Sequence, residues 1–339
     1  MTSISAPDVR LHQSELLRLM IGHWVSNAVG AAAELGIADV LADGDQPVDR
    51  IATEVGVGAE SLARLLRFLQ ALGLVERDGS TYSLTATGEL LRTDHPSSMR
   101  NLVNLYQEQY FADAWSELVP ALRVGEQPFA KAHGESVFEF LASRPDALAV
   151  YSSGIAVGSA FVAELPHVVD FAGKKVIDVG GGDGTLLETV LDATPTATGR
   201  LIERPAAVAA GERRLAPFVE ERRADVVAGD FFAGLPSGGD VFILCRILHN
   251  WDDNASAAIL RNVRAAMTAG SSLLIVERVL SDDEPTPVTT AFDLHMFVMT
   301  SGRERSVDEY RRLLVETGFE LVEVRDLPLE MSVVEARAV

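Results

Sequence analysis

Four glycines occupy five positions, 180 to 184, directly after the alternating apolar run VIDV at 176–179. A chain gives up side chains where another molecule must come close to its backbone. No Gly-Lys-Ser/Thr follows, so a phosphate-cradling P-loop is excluded. The dinucleotide fingerprint G-x-G-x-x-G fits poorly, because Gly180 and Gly182 leave Thr185 at its third position. What stands here is D-x-G-x-G-x-G, starting at Asp178. Glu203 lies 19 residues after Gly184 and ends the next apolar run, where a carboxylate can accept both hydroxyls of a ribose. Asp230 and Phe231 end the run after that and suit an adenine amino group and ring face. Singly, each is what a strand end carries for solvation. In series they ask for an adenosine-bearing ligand, and S-adenosylmethionine joins the dinucleotides and nucleoside triphosphates as a candidate. The fourth run is followed by LHNWDD, which puts His249 at the same edge as either a reactive imidazole or a satisfied buried one. Asp252 and Asp253 precede a helix and read as caps.

The elements that bring these residues together are alternating strands and helices. KKVIDVG, GRLIE, VVAGDF, DVFILCRIL and SSLLIVERVL read as strands. Helices are expected at 185–193, from Pro205, at 254–267 and around 308–317. FELVEVRDL and MSVVEARAV close the chain as an antiparallel pair. Repeated βαβ units imply an α/β domain with a parallel sheet, helices on both faces and a ligand at the carboxyl ends of the strands.

Upstream the pattern is helical. Residues 11–41 carry Leu16, Leu17, Leu19, Met20, Ile21, Trp24 and Val25, apolar on more than one face, which hints at cover by a partner chain. PVDRIATEVG and AESLARLLRFLQALG read as two short helices, and LVERDGSTYSL as a hairpin turning at Asp78-Gly79. Helix, turn, helix, hairpin is the winged-helix order. The second helix pairs Arg64 and Arg67 with Glu60, and no basic stripe is present, so packing or dimerisation is favoured over DNA binding. Residues 97–170 are mainly helical, with scattered aromatics that are mostly core.

The 339 residues carry a formal net charge of −20, a surface that repels phosphate backbones and anionic membranes. Cys245 is the only cysteine, which rules out an internal disulfide and any multi-cysteine metal site. The acidic residues and seven histidines are dispersed, so no metal site is expected. The N-terminus shows no secretory signal, and Glu34 and Asp39 interrupt the best apolar run, so a soluble cytoplasmic protein is expected.

DVGGGDGTLL, GDFF, LHNWDD and SGRERS, in that order and spacing, resemble the S-adenosylmethionine-dependent O-methyltransferases with an N-terminal dimerising winged-helix domain, plant caffeate-type and bacterial antibiotic-pathway enzymes. The resemblance runs from about residue 10 to 335. It implies a Rossmann-like class I methyltransferase sheet of seven strands, the last pair antiparallel, after a mainly helical dimerisation domain. The parts would be 1–100, a helical linker 101–165 that contributes to the substrate pocket, and 166–339. S-adenosylmethionine would lie against Asp178, Gly180, Gly182, Glu203, Asp230 and Phe231. By resemblance alone, Arg246 and Ser159 join them.

His249 would be the general base, its ring oriented by Glu277 and Glu304, both in place here without departure. Tyr151, Ile155, Phe292, Asp293 and Met296 match substrate-facing positions. Arg204 departs from the Leu usual in relatives, beside the ribose-binding Glu203, and reads as a solvated surface residue. The implied activity is O-methylation of an aromatic small molecule by a homodimer. The alanine- and arginine-rich, lysine-poor composition adds an analogy with secondary metabolism in high-GC bacteria. N- or C-methylation, a relative that keeps the cofactor without transferring methyl, and a ligand-sensing winged-helix regulator are the alternatives.

Overall fold

Along the strand Lys175–Val179, Val176, Ile177, Asp178 and Val179 are all buried, although neighbouring side chains point to opposite faces. Such a strand needs helices on both sides. The computed structural model describes residues 6–157 and 160–339 and supplies them. On one face Ile177, Val179, Phe242 and Leu244 pack with Leu260 and Val263 of helix Asp253–Ala266 and Tyr310 and Leu314 of helix Val307–Glu316. On the other, Val176, Ile243 and Val276 pack with Leu187 and Val190 of helix Thr185–Ala193 and with Phe161 and Leu165. Each fully buried aliphatic side chain stabilises the fold by roughly 1.5–3 kcal/mol.

The sheet has seven strands: Lys175–Val179, Thr198–Glu203, Ala224–Ala228, Val241–Cys245, Ser272–Glu277, Phe319–Leu327 and Met331–Ala338. Numbered along the chain, their spatial order is sixth, seventh, fifth, fourth, first, second, third. The first five are parallel, and the seventh runs antiparallel to both the fifth and the sixth. Strand order reverses between the first and fourth strands, and a ligand crevice opens at that switch point.

Two strands end earlier than their apolar patterns imply. The fourth stops at Cys245, because Arg246 takes a left-handed conformation (φ 53°) and turns the chain into the short 3-10 turn Leu248–Asn250. The fifth stops at Glu277. Val279–Leu280 leaves the sheet and pairs in parallel with Arg305–Ser306.

The chain divides into two compact units, Met1–Ala112 with Arg144–Gly158, and Asp113–Ser143 with Ser159–Val339. The helical stretch 101–165 is therefore shared between the units rather than forming a linker of its own. Helix Arg100–Tyr106 packs on helix Pro145–Val157 in the first unit. The approach is close, since a Cβ at Gly154 would sit 2.7 Å from Leu105 Cβ. Gly30 is similarly filled by the Gln107 side chain.

The first unit also holds helices Val48–Val55 and Ala59–Ala71 and the hairpin Val75–Asp78/Thr81–Leu84. Ile51, Leu62, Leu66, Leu69 and Tyr82 form its core. Leu11, Leu16, Leu17, Leu19, Met20 and Trp24 on its first two helices are exposed, Leu19 by 73%.

The stretch Pro145–Val168 has the length and mean hydropathy (1.5) of a membrane span. Its described residues are instead a helix, a 3-10 turn and a one-turn helix. Phe161, Val162 and Leu165 of that stretch are buried in the core of the second unit.

Candidate active site

The glycine turn leaves the first strand with Gly180, Gly182 and Gly184 at φ 71°, 62° and 84°, a region that L side chains rarely adopt. A Cβ at Gly181 would collide with the Asp178 carboxylate, and one at Gly180 would lie 2.7 Å from Ile247 Cδ1. A Cβ at Gly182 would meet nothing, so that position faces open space. Asp178 is wholly buried, and neither carboxylate oxygen has a hydrogen-bond partner among the described residues. Burial, then the charges of Glu203 and Asp183, push its carboxyl up to about 7. A buried acid without a partner is costly. It fits a ligand that brings positive charge or N–H donors.

Glu203 accepts the Gly182 N–H at 3.0 Å on one oxygen and the Arg204 N–H at 2.7 Å on the other. It thereby ties the second strand end to the glycine turn and keeps lone pairs for a ribose. The Arg204 side chain is 65% exposed. After the third strand, Asp230 Oδ1 accepts the Phe232 N–H at 2.8 Å. The Phe231 ring comes within 3.4 Å of where a Gly180 Cβ would stand. The Phe231 carbonyl accepts from Asn262 at 2.8 Å. Glu203 and Phe231 thus lie against the glycine turn, and Asp230 stands next to Phe231 after the third strand.

His249, 8% exposed, sits on the 3-10 turn after the fourth strand. Its Nδ1 lies 3.0 Å from Glu304 Oε1. With the carboxylate accepting, Nδ1 carries the proton and Nε2 keeps the lone pair. Glu277 does not reach the ring. It accepts the backbone N–H of His249 at 3.1 Å on one oxygen and the Tyr310 hydroxyl on the other. The expected pair of ring-orienting carboxylates is therefore one orienter, Glu304, and one anchor of the turn, Glu277. Burial opposes charge on the imidazole, but the charge and hydrogen bond of Glu304, with Glu277 behind, outweigh it and hold its pKa above the usual value.

Three residues that sequence reasoning did not single out fix this turn. Arg305, 1% exposed, donates to the carbonyls of Leu248 (3.1 Å) and Trp251 (2.9 Å), which bracket His249. Its partner Asp253 accepts at 2.8 Å, whereas Asp252 caps the helix by accepting from the Ala255 N–H. Gly302 packs backbone to backbone, its would-be Cβ 2.5 Å from the Asn250 carbonyl carbon. Tyr310 is fully buried behind Glu277. RERS was legible as a motif, but nothing in the local pattern assigned the Arg a task.

Helix Pro287–Met299 carries the remaining site candidates of this unit. Asp293 Oδ1 accepts the Glu304 N–H at 3.0 Å, so it braces the orienting carboxylate. The Phe292 ring lies under the Arg278 guanidinium at 3.7 Å. Met296 is buried. His295, one turn along, was not anticipated. It is stacked on Trp115 (6.2 Å) and pushed down to about 4 by burial and by the nearness of His249. The Arg246 guanidinium lies 5.8 Å from the Phe161 ring centroid. Tyr151 and Ile155 belong to helix Pro145–Val157 of the first unit, and Ser159 lies outside the described residues.

The strand order, the glycine turn and the crevice at the switch point define a class I methyltransferase fold. Residues 115–320 match the family description "O-methyltransferase domain", and residues 17–94 match "O-methyltransferase dimerisation domain". The chain belongs to this O-methyltransferase family. It is 38% identical over 338 residues to a 3-amino-4-hydroxybenzoate 4-O-methyltransferase of Streptomyces cremeus, covering 98% of this chain and 91% of that one. It is also 38% identical over 332 residues to the phenazine O-methyltransferase PhzM of Lysobacter antibioticus, with 96% of each covered. Among solved structures it resembles the O-methyltransferase NcsB1 from neocarzinostatin biosynthesis, in complex with S-adenosylmethionine and 2-hydroxy-5-methyl naphthoic acid. There the TM-score is 0.74 and the identity 32%, over 93% of this chain and 96% of that one.

Proposed function

We propose that this chain uses S-adenosylmethionine to methylate a hydroxyl or carboxyl oxygen of an aromatic small molecule in bacterial secondary metabolism, with His249 as the general base. The observation that carries this reading is the buried His249–Glu304 pair at the edge of the glycine-lined crevice. Three relatives that act on or bind aromatic compounds support it. The orphaned Asp178 carboxylate and the open Gly182 position fit S-adenosylmethionine, a cationic ligand, with Glu203 at its ribose and Asp230 and Phe231 at its adenine. When bound, that cofactor supplies a methyl group on a leaving group that is already cationic.

The protein's own tasks are then alignment, exclusion of water and removal of one proton. A phenol of pKa about 10 is almost fully protonated at neutral pH. His249 Nε2 takes that proton, Nδ1–H stays on Glu304, and the imidazolium that forms is stabilised by the carboxylate at 3.0 Å. Glu277 and Arg305 keep the backbone on either side of the ring from drifting. A base of this kind serves an oxygen that must lose a proton before attack. An aromatic amine, which attacks through its lone pair, needs it less.

The exposed apolar residues of the first two helices, with the dimerisation-domain match, support a homodimer. Incubation with S-adenosylmethionine and a panel of phenols is expected to yield S-adenosylhomocysteine and a product heavier by one CH2. His249→Ala is expected to slow a phenol whose pKa exceeds the assay pH by roughly 10²–10⁴-fold. Full retention of that rate disproves the base. Turnover of an acceptor without S-adenosylhomocysteine release disproves the transfer itself.

A further inference from the structure

Along helix Val307–Glu316, Tyr310, Leu313 and Leu314 form the buried stripe. Tyr310 belongs to one core cluster with Ile177, Phe242 and Leu260, a place that a phenylalanine would fill as well. Its hydroxyl is the part that packing does not explain. The side chain is fully buried, and a hydroxyl taken out of water without a partner is costly. Among the described residues, the only hydrogen-bond partner of this hydroxyl is Glu277 Oε2. Glu277 is itself fully buried, and its other oxygen accepts the His249 N–H at 3.1 Å.

Both partners of Glu277 are therefore donors, which suits a carboxylate, an acceptor only. A protonated Glu277 would have to donate to the Tyr310 oxygen, and the phenol proton would then lie in the core with no acceptor. Burial works the other way: it pushes the Glu277 carboxyl up and favours its neutral form. Burial also pushes the Tyr310 phenol far above its usual range, so the phenol stays a donor.

We propose that Tyr310 is a positioning residue for the base: its hydroxyl keeps Glu277 ionised, and through Glu277 it maintains both the anchor of the His249 turn and the negative charge behind the imidazole. This rests on the role of His249 proposed above. The other groups around the pair do not replace it. Burial pushes Cys245 up to about 12, so it stays a thiol, and holds His295 down at about 4, so it stays neutral. Glu304 holds the imidazole Nδ1 and repels a second negative charge on Glu277. Arg246 opposes charge on His249, and Arg305 favours charge on Glu277 without a hydrogen bond to it. Tyr310 alone donates to Glu277 from a side chain.

Tyr310→Phe removes the hydroxyl and keeps the ring. Glu277 Oε2 then loses its donor, the carboxyl takes up a proton, and the imidazolium loses one of its two negative neighbours. The acidic limb of kcat/KM on a phenol is expected to move to lower pH by about half a unit or more. Glu277→Gln, a neutral group of the same shape, is expected to move it by a similar amount. The double variant is expected to move it no further than Glu277→Gln alone. Infrared difference spectra give a second readout at neutral pH. Tyr310→Phe minus the double variant is expected to show the C=O stretch of a protonated carboxyl, and wild type minus Glu277→Gln to lack it. A limb that stays put while kcat falls marks a merely structural hydroxyl and overturns the proposal. Additive shifts in the double variant, or a protonated Glu277 in the wild type, overturn it equally. Calorimetric binding of S-adenosylhomocysteine checks folding. If Tyr310→Phe alone does not bind it, the double variant decides, because a neutral partner no longer needs the donor: binding supports the proposal and no binding overturns it. A wild type that methylates no phenol overturns the reading on which the proposal rests, and the infrared comparison still decides the charge on Glu277.

Discussion

Gly302→Ala adds one methyl group at a place where the structure leaves no room. The new Cβ would stand 2.5 Å from the Asn250 carbonyl carbon and 2.6 Å from that of His249, and nearer still to the His249 carbonyl oxygen. Ordinary contact begins near 3.4 Å, so the two backbones must part by about 1 Å or more. Both sides of this contact carry the catalytic pair, His249 on one strip of chain and Glu304 two residues beyond Gly302 on the other. Opening by that amount takes the 3.0 Å Nδ1–Oε1 bond to about 4 Å, outside hydrogen-bonding range. Displacement of about 1 Å at a reacting centre costs on the order of 10²-fold in rate. Overpacking itself destabilises by roughly 1–3 kcal/mol.

The glycine turn lies elsewhere in the crevice, so affinity for S-adenosylhomocysteine is expected to stay near the wild-type value while kcat on a phenol falls about 100-fold. Calorimetric binding, steady-state kinetics and thermal melting on one preparation separate the three quantities. A variant with wild-type kcat would refute the reasoning, because it would show that the His249 turn tolerates a shift of this size.

Glu304→Gln removes the charge that lifts the His249 pKa against burial, so that pKa is expected to fall and the acidic limb of kcat/KM to move to lower pH. The alkaline plateau should drop by roughly 10- to 150-fold, the worth of a charge-assisted bond to the imidazolium of about 1.5–3 kcal/mol. A pH–rate profile checks both, and a limb that stays put or moves up contradicts the assignment. Because the folded pKa of His249 is raised, its stabilising contribution is fully present below the unfolded pKa of about 6.5 and is lost as pH rises through the folded value. Denaturant melts of wild type and Glu304→Gln should therefore differ most below about pH 6.5 and converge as the pH rises. Replacing Leu16, Leu19 and Trp24 together by Ser is expected to leave both helices intact, since all three are exposed, and to dissociate the proposed homodimer. Sedimentation velocity showing an unchanged oligomer would remove these helices from the interface.

How much of this was legible in the sequence depends on whether the deciding contact is local. Gly180, Glu203, Asp230 and His249 each end an apolar run, and a parallel sheet gathers such ends on one edge whatever the side chains do next. Their placement along one edge of the sheet could therefore be read from spacing alone. The roles of Glu277 and Glu304 could not. Both are glutamates near His249, and the difference lies in Val279–Leu280 leaving the sheet to pair with Arg305–Ser306. SSLLIVERVL is apolar on both sides of Glu277 and Arg278, so its pattern shows no break there.

The same limit applies between residues 97 and 170, where the boundary between the units falls after Ala112, inside helix Gln109–Ser116. Close approach at Gly30 and Gly154 belongs to the first unit, a matter of which faces lack side chains rather than which carry apolar ones. Arg305 and Tyr310 are the sharpest instance. As residues they resemble any charge in a polar loop and any aromatic on an amphipathic helix, and burial behind a turn more than 50 positions away turns the arginine into a clamp on two carbonyls. Gly302 completes the point: a glycine in a polar loop looks like turn chemistry, yet its φ is not in the left-handed region and its task is to have no Cβ facing His249. Chemistry was readable wherever a strand end displayed it. The scaffolding that gives one carboxylate the ring and the other the backbone exists only in the packed chain.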